Sequence, residues 1–406
     1  MRPGRLRFAR TRAALPLVAA ATLASGLLAL AGPAAAGIPG SLAGTESGGL
    51  PQAATACPAK AQSAVGAAQA DIDAIAAGPG CTVLAAGTMN LSRSVVFSWS
   101  GSGWRRVASV AAASTNLYAI TASAPASTWA VGYTSHGVAD QTLILRRTAG
   151  RWVTVRTPDP AGAAGLNDLY GVAAARAGAW AVGSRSVSAT AYGVLILGWN
   201  GQRWVVAQAP KVARAQDSAL FSAAAISPTS AWAVGTAVTG SVSRPLIERF
   251  QKGHWAVVGS PAEQGELESV TVVSARNAWA VGYRSSAGGN KTLIEHWNGS
   301  KWAVVVSPNV AKVAGQTAAN QLRGVAARSA GNVYAVGVAI APGGAEVTLL
   351  MHWNGHRWAR ATSPNPAGSG GNNQLQGIAA NAATGFWIAG AYLTGGVLHS
   401  FALHRS

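Results

Sequence analysis

Three observations predict an all-β repeat molecule. All fifteen tryptophans fall at one of three positions of a repeating unit. The unit recurs seven times, with successive copies starting 45 to 55 residues apart. Each copy divides into short apolar segments bounded by glycine, proline and asparagine, the punctuation of strands. A fixed period of roughly 40–50 residues with four strands per unit is that of a propeller blade. The expectation is therefore a seven-bladed β-propeller of four-stranded antiparallel blades.

The first strand of a unit reads Leu-x-Gly-Val-Ala-Ala, as at residues 322–327. Its small side chains suit the innermost position, where blades converge. The second strand is Trp-Ala-Val-Gly, starting at Trp129, Trp180, Trp232 and Trp279, with variants starting at Tyr334 and Trp387 and a degenerate copy at Leu84. A strand pressed on both faces is expected to be continuously apolar. The third strand, Thr-Leu-Ile-Glu-His-Trp at residues 292–297, ends on a second anchor, equivalent to Trp99, Arg147, Trp199, Phe250 and Trp353. Asn298-Gly299, Asn200-Gly201 and Asn354-Gly355 follow, and Asn-Gly predicts a hairpin with both central residues at positive φ. The fourth strand, residues 302–307, opens on the third anchor, shared by Trp104, Trp152, Trp204, Trp255, Trp302 and Trp358. Pro308 stops it, as Pro158, Pro210, Pro261 and Pro364 do in other units, since proline is tolerated at an outer edge.

The seventh copy ends after its third strand. Proline spacing at the other end of the chain selects residues 53–57 as the missing outer strand, which would close the ring and remove its open ends. Ahead of them, residues 1–36 read as a secretory signal, with Arg2, Arg5, Arg7, Arg10 and Arg12, an apolar stretch and Ala34-Ala35-Ala36 before Gly37. Residues 37–52 read as a Gly/Ala-rich linker, and residues 53–406 as the propeller. The two cysteines, Cys57 and Cys81, fit an oxidising compartment and form a candidate disulfide. Against that pairing, the strand order places them toward opposite sides of the disc.

The chain carries a net charge of +18, with 11% charged and 49% hydrophobic residues. That composition excludes disorder. Secretion argues against nucleic acid as the partner, and no segment after the signal could span a membrane as a helix. Both sets of long loops, residues 283–291 and 309–320 for example, should open on one face, where a ligand is expected near the central channel. Motifs for a catalytic serine or cysteine, a phosphate-binding loop, a calcium loop or a histidine metal site are missing from the sequence. No catalytic residue, cofactor or metal is assigned, and the chain is read as a monomer. Glu263, Glu266 and Glu268 cluster in what reads as a solvated inter-blade loop. They are the acid/base candidates of an alternative reading, a hydrolase or lyase acting on polysaccharide. The residue before the fourth-strand tryptophan is Arg151, Arg203, Lys301 or Arg357 in four units. These cations would form a basic ring able to contact an anionic polymer.

The cadence W-A-V-G … H-W-N-G-x-x-W … S-P resembles repeats of secreted bacterial propellers described as kelch-like or galactose-oxidase-central-domain-like, and more distantly tectonin-type repeats. The resemblance covers residues 53–406. It implies the propeller fold and a place among lectins, scaffolds and enzymes, and the tectonin likeness implies glycan or lipopolysaccharide binding. The functional expectation is a secreted, non-catalytic recognition or scaffold protein, extracellular or associated with the cell wall. Its partner would be a glycan, an anionic wall polymer or a surface protein, and a purely structural surface role is a further alternative.

Overall fold

The structure, a computed structural model, describes residues 62–406 apart from 66–68, 91, 111, 113, 124–126, 176–177 and 382. The expected signal, the linker, residues 53–57 and Cys57 lie outside the described residues. Every regular element among the described residues is a β-strand. The strands assemble in chain order into repeated four-stranded antiparallel sheets. Five four-stranded sheets stand separately, two short strands pair on their own, and eight further strands form one larger sheet. Within it two such units meet through a single parallel bridge between Glu346 and Asn372. One unit shows the plan: Glu266–Ser274, Asn277–Arg284, Lys291–Trp297 and Trp302–Val304, each paired with the next.

Two sequence motifs are one structural device. In each unit the first strand bulges at the x of Leu-x-Gly, so that two residues oppose one on the second strand. The register shifts between Leu169 and Gly171, between Leu267 and Ser269, and between Leu322 and Gly324, for example. A bulge bends its strand and re-aims one side chain. The bent backbone crosses the glycine of W-A-V-G. A Cβ on Gly183 would sit 1.8 Å from the Asp168 carbonyl oxygen, and one on Gly282 would sit 2.0 Å from that of Glu266. The second-strand glycine is thus required by the first-strand bulge.

The tryptophans join one sheet to the next. Trp232 lies 4.9 Å from Trp297 and 5.1 Å from Trp302, ring centre to ring centre, both in the following sheet. Trp129 meets Trp199 and Trp204 in the same way, and Trp279 meets Trp353 and Trp358. The last unit meets the first: Trp387 lies 5.4 Å from Trp99 and 6.1 Å from Trp104. Edge-to-face pairs of this kind add about 0.5–1.5 kcal/mol each beyond burial. Every tryptophan is buried or half-buried, as expected of core residues.

Three expectations about elements change. Asn-Gly does not form a two-residue turn here. Trp297 pairs with Trp302 across a four-residue loop, only Gly299 takes positive φ, and Asn298 Oδ1 accepts the amides of Ser300 and Lys301. Two-residue turns with both central residues at positive φ occur instead at Ala149-Gly150, Lys252-Gly253 and Gly395-Gly396. Fourth strands also stop before their prolines, at Val304 rather than at residue 307. A side-chain clasp draws the chain off the ladder: Asn309 Oδ1 accepts the Thr292 amide at 2.8 Å, and the Ser307 and Thr292 hydroxyls lie 2.8 Å apart. Thr348, Ser363 and Asn365 repeat it. Finally, the strand paired with Val397–Arg405 is Gln62–Ala64, with Gln62 opposite Leu403, C-terminal to the segment that proline spacing selects. A hairpin, Lys312–Val313 with Gln316–Thr317, also occupies a loop read as irregular.

Candidate functional site

The bulges converge. Asp73, Tyr118, Tyr170, Phe221, Glu268, Arg323 and Gln376 are the extra residues of the first strands, counted along the chain. A cavity of about 170 Å³ is bounded by residues from all these strands, including Asp73, Tyr118, Phe221, Arg323 and Gln376. Small residues follow each bulge because the strands crowd together there. A Cβ on Gly171 would lie 2.8 Å from the Ser222 Cα.

The lining is divided. Tyr118 and Phe221 line one side, and Tyr170 packs between them, with ring centres 5.7 Å and 5.9 Å away. Asp73, Arg323 and Gln376 form the polar part, and Glu268 is buried at the equivalent bulge, each no more than 7% exposed. Two positions before the bulges stand Asp71, Asn116, Asp168, Ala219, Glu266, Gln321 and Gln374, six of the seven polar. Gln376 Nε2 donates to Asp71 Oδ1 at 2.8 Å, and the Tyr170 hydroxyl donates to Asp168 Oδ2 at 3.2 Å. Arg323 donates to Gln374 Oε1, and Gln374 donates in turn to Glu346 Oε2. Burial, and then the Glu268 charge, push the Glu266 carboxyl up to about 7. Burial and the Asp168 carboxylate hold the Tyr170 phenol well above its ordinary value.

The glutamate cluster is therefore divided rather than gathered in one solvated loop. Glu263 is exposed in the loop, while Glu266 opens the strand Glu266–Ser274 and Glu268 is its buried bulge residue. The hydrophobic residue between them packs in the inter-sheet core, which fixes the segment as strand. The signal that would have found the channel is the variable x of Leu-x-Gly, the one position in the motif whose chemistry changes from copy to copy. Sequence reading passed over it because x looks like noise.

Arg151, Arg203, Lys301 and Arg357 are all exposed, each at a hairpin beside a fourth-strand tryptophan. The recurrent histidines are placed by packing. His296 stacks on Trp279 at 4.2 Å and bonds Asn277, while His352 stacks on Tyr334 and bonds Asn332. Burial lowers the pKa of both. Arg146 and Arg249 hold the same position, each lying over two indoles. Cys81 is disulfide-bonded, and Cys57 lies outside the described residues. Among the described residues, no group of three or more metal-ligating side chains comes together.

No protein-family model and no curated protein matches this chain. Among solved structures, U3-55K aligns with a TM-score of 0.53 at 9% identity, over 85% of this chain and 98% of that one. YCF48 from Cyanidioschyzon merolae aligns at 0.49 and 14% identity, over 85% and 99%. YCF48 bound to D1 peptide aligns at 0.48 and 15% identity, over 87% and 100%. At such identities the likeness bears on fold alone, and the fold is a β-propeller of repeated four-stranded antiparallel sheets.

Proposed function

We propose that this chain is a secreted recognition propeller of seven blades, closed by an N-terminal strand, that binds an extracellular partner without turning it over. Pairing of Gln62–Ala64 with the last strand and packing of Trp387 on Trp99 and Trp104 support the closed ring. The observation that carries the function is the set of bulge residues. Repeats alike at their core positions differ at the bulge position, and that difference builds a cavity lined by Asp73, Tyr118, Phe221, Arg323 and Gln376. Packing does not call for it, whereas recognition does. The partner this lining favours is a surface protein.

A second reading has its own support. Arg151, Arg203, Lys301 and Arg357 are exposed at equivalent hairpins, so an anionic wall polymer would find repeated cationic contacts there. The test is binding of the purified chain to isolated cell walls and to envelope proteins, at low and high salt, with released product assayed. Saturable binding that persists in salt and yields no product supports the channel. Binding that vanishes with salt moves the site to the rim. Product release from a polysaccharide would bring back the hydrolase reading, with Glu266 and Glu268 as its acid/base pair.

A further inference from the structure

We propose that the cleft beside the hairpin Lys312–Val313 with Gln316–Thr317 binds an acidic segment of a protein partner, its carboxylates on Lys312 and Arg360 and its aliphatic side chains on the floor between them. The cleft lies outside the channel and shares no lining residue with it.

The hairpin is an addition to the repeat, the one two-stranded sheet among the described residues. Its side of the cleft is firmly held. Val310 and Val313 are buried in the core beneath it. Asn320 Oδ1 accepts the Val310 amide at 2.8 Å, and Asn320 Nδ2 donates to the Val310 carbonyl at 3.0 Å. Gln316 Oε1 accepts the Gly343 amide at 3.0 Å. The opposite wall is the end of the fourth strand Trp358–Ala361, with the clasp residues Ser363 and Asn365. The space between them is about 650 Å³, the size of pockets that hold ligands.

Its charge is of one sign. Lys312 and Arg360 line the cleft from its two walls, and both are exposed. Neither has a hydrogen-bond or ion-pair partner among the described residues. No carboxylate lines the cleft. After Glu295 the chain carries seven lysines and arginines against a single acid, Glu346, which is buried and accepts a hydrogen bond from Gln374. Arg405 brings a further guanidinium to the carbonyl of Thr362, another lining residue. Like charges facing one space repel, and an anion placed between them turns repulsion into attraction. The guanidinium fork of Arg360 also matches the two oxygens of a carboxylate.

The floor decides the kind of anion. Val310, Val347, Leu350 and Ala361 make it apolar, which favours aliphatic side chains beside the charges. No aromatic ring lines the cleft, so a sugar ring has no face to stack on. An extended peptide alternating acidic and aliphatic residues satisfies both the walls and the floor.

The experiment is calorimetric titration of the purified full chain, at low and high salt, with acetyl-Asp-Val-Glu-Leu-amide, its uncharged analogue acetyl-Asn-Val-Gln-Leu-amide and trigalacturonate. The expected result is saturable binding of the acidic peptide that weakens with salt, and none of the uncharged peptide. Lys312→Gln and Arg360→Gln should each weaken it about fivefold, the worth of one exposed ion pair. Arg284→Gln, an exposed cation of another sheet, should leave it unchanged. Lys312→Glu combined with Arg360→Glu should instead bind acetyl-Lys-Val-Lys-Leu-amide, a gain that a misfolded variant cannot give. Equal binding of the uncharged peptide, indifference to the Lys312 and Arg360 variants, or no saturable binding would overturn the proposal. Trigalacturonate bound as tightly as the acidic peptide would overturn the choice of a protein partner.

Discussion

Trp279 shows what a repeat position demands of one side chain: it is 1% exposed and touches Trp353, Trp358 and His296. Trp279→Ala should cost ~3–5 kcal/mol in chemical denaturation, the range for truncating a buried large aromatic. A loss below ~1 kcal/mol, typical of surface changes, would remove it from the core. Glu248 is the opposite kind of residue. It sits in the third strand with both carboxyl oxygens buried and without hydrogen-bond partners, and burial pushes it up to about 8. Glu295 at the equivalent position accepts the Ser260 hydroxyl and rises to about 7. Because the folded values exceed the unfolded value of 4.5, the folded state holds the extra protons. Stability is then greatest below that value and falls as pH rises through the folded values. Glu248→Gln should flatten this fall, leaving the melting temperature unchanged near pH 4 and adding on the order of 4 kcal/mol at pH 9. Equal slopes in both proteins would contradict it. The tryptophans were legible because repetition fixes them. The bulge residues were not, because repetition hides a position that varies, and only the register between strands shows where its side chain goes.

At the scale of elements, the bulge and the W-A-V-G glycine stand or fall together. Gly282→Ala would force its Cβ against the Glu266 carbonyl, 2.0 Å away. The strand Glu266–Ser274 would have to shift, carrying Glu268 with it. The expected outcome is loss of more than ~2 kcal/mol, read by chemical denaturation. Ala at position 282 with unchanged stability would disprove the coupling. The Ser-Pro-Asn clasp is separable from it. Asn309→Ala removes the acceptor of the Thr292 amide and should cost ~1–3 kcal/mol in chemical denaturation. Strand order within a unit was readable from apolar runs and prolines. The turns were read less well, since Asn298 caps the loop with its side chain instead of adopting positive φ. The end of the fourth strand was set by a clasp between residues 15 and 17 apart, which local pattern cannot reveal.

At the scale of the whole molecule, the first and last units meet through Gln62–Ala64, Trp387 and the Ser400 hydroxyl, which donates to the Ala70 carbonyl at 2.6 Å. If these contacts close a ring, removing residues 37–64 should lower the melting temperature, and an unchanged value would leave the ring without its proposed latch. The strand that pairs with Val397–Arg405 lies outside the segment that proline spacing selects, because short strands carry little sequence signal of their own. Two buried acids, Asp73 and Glu268, sit at bulges, while exposed cations stand at the hairpins. The most direct test of the account is capture of envelope material by three forms of the chain: wild type, the pair Asp73→Asn with Glu268→Gln, and the rim set Arg151, Arg203, Lys301 and Arg357 each changed to Gln. Recognition through the channel predicts that the channel pair loses at least tenfold in affinity at high salt while the rim set keeps its binding. Full capture by the channel pair, with loss in the rim set, would contradict it and place the partner on the opposite face.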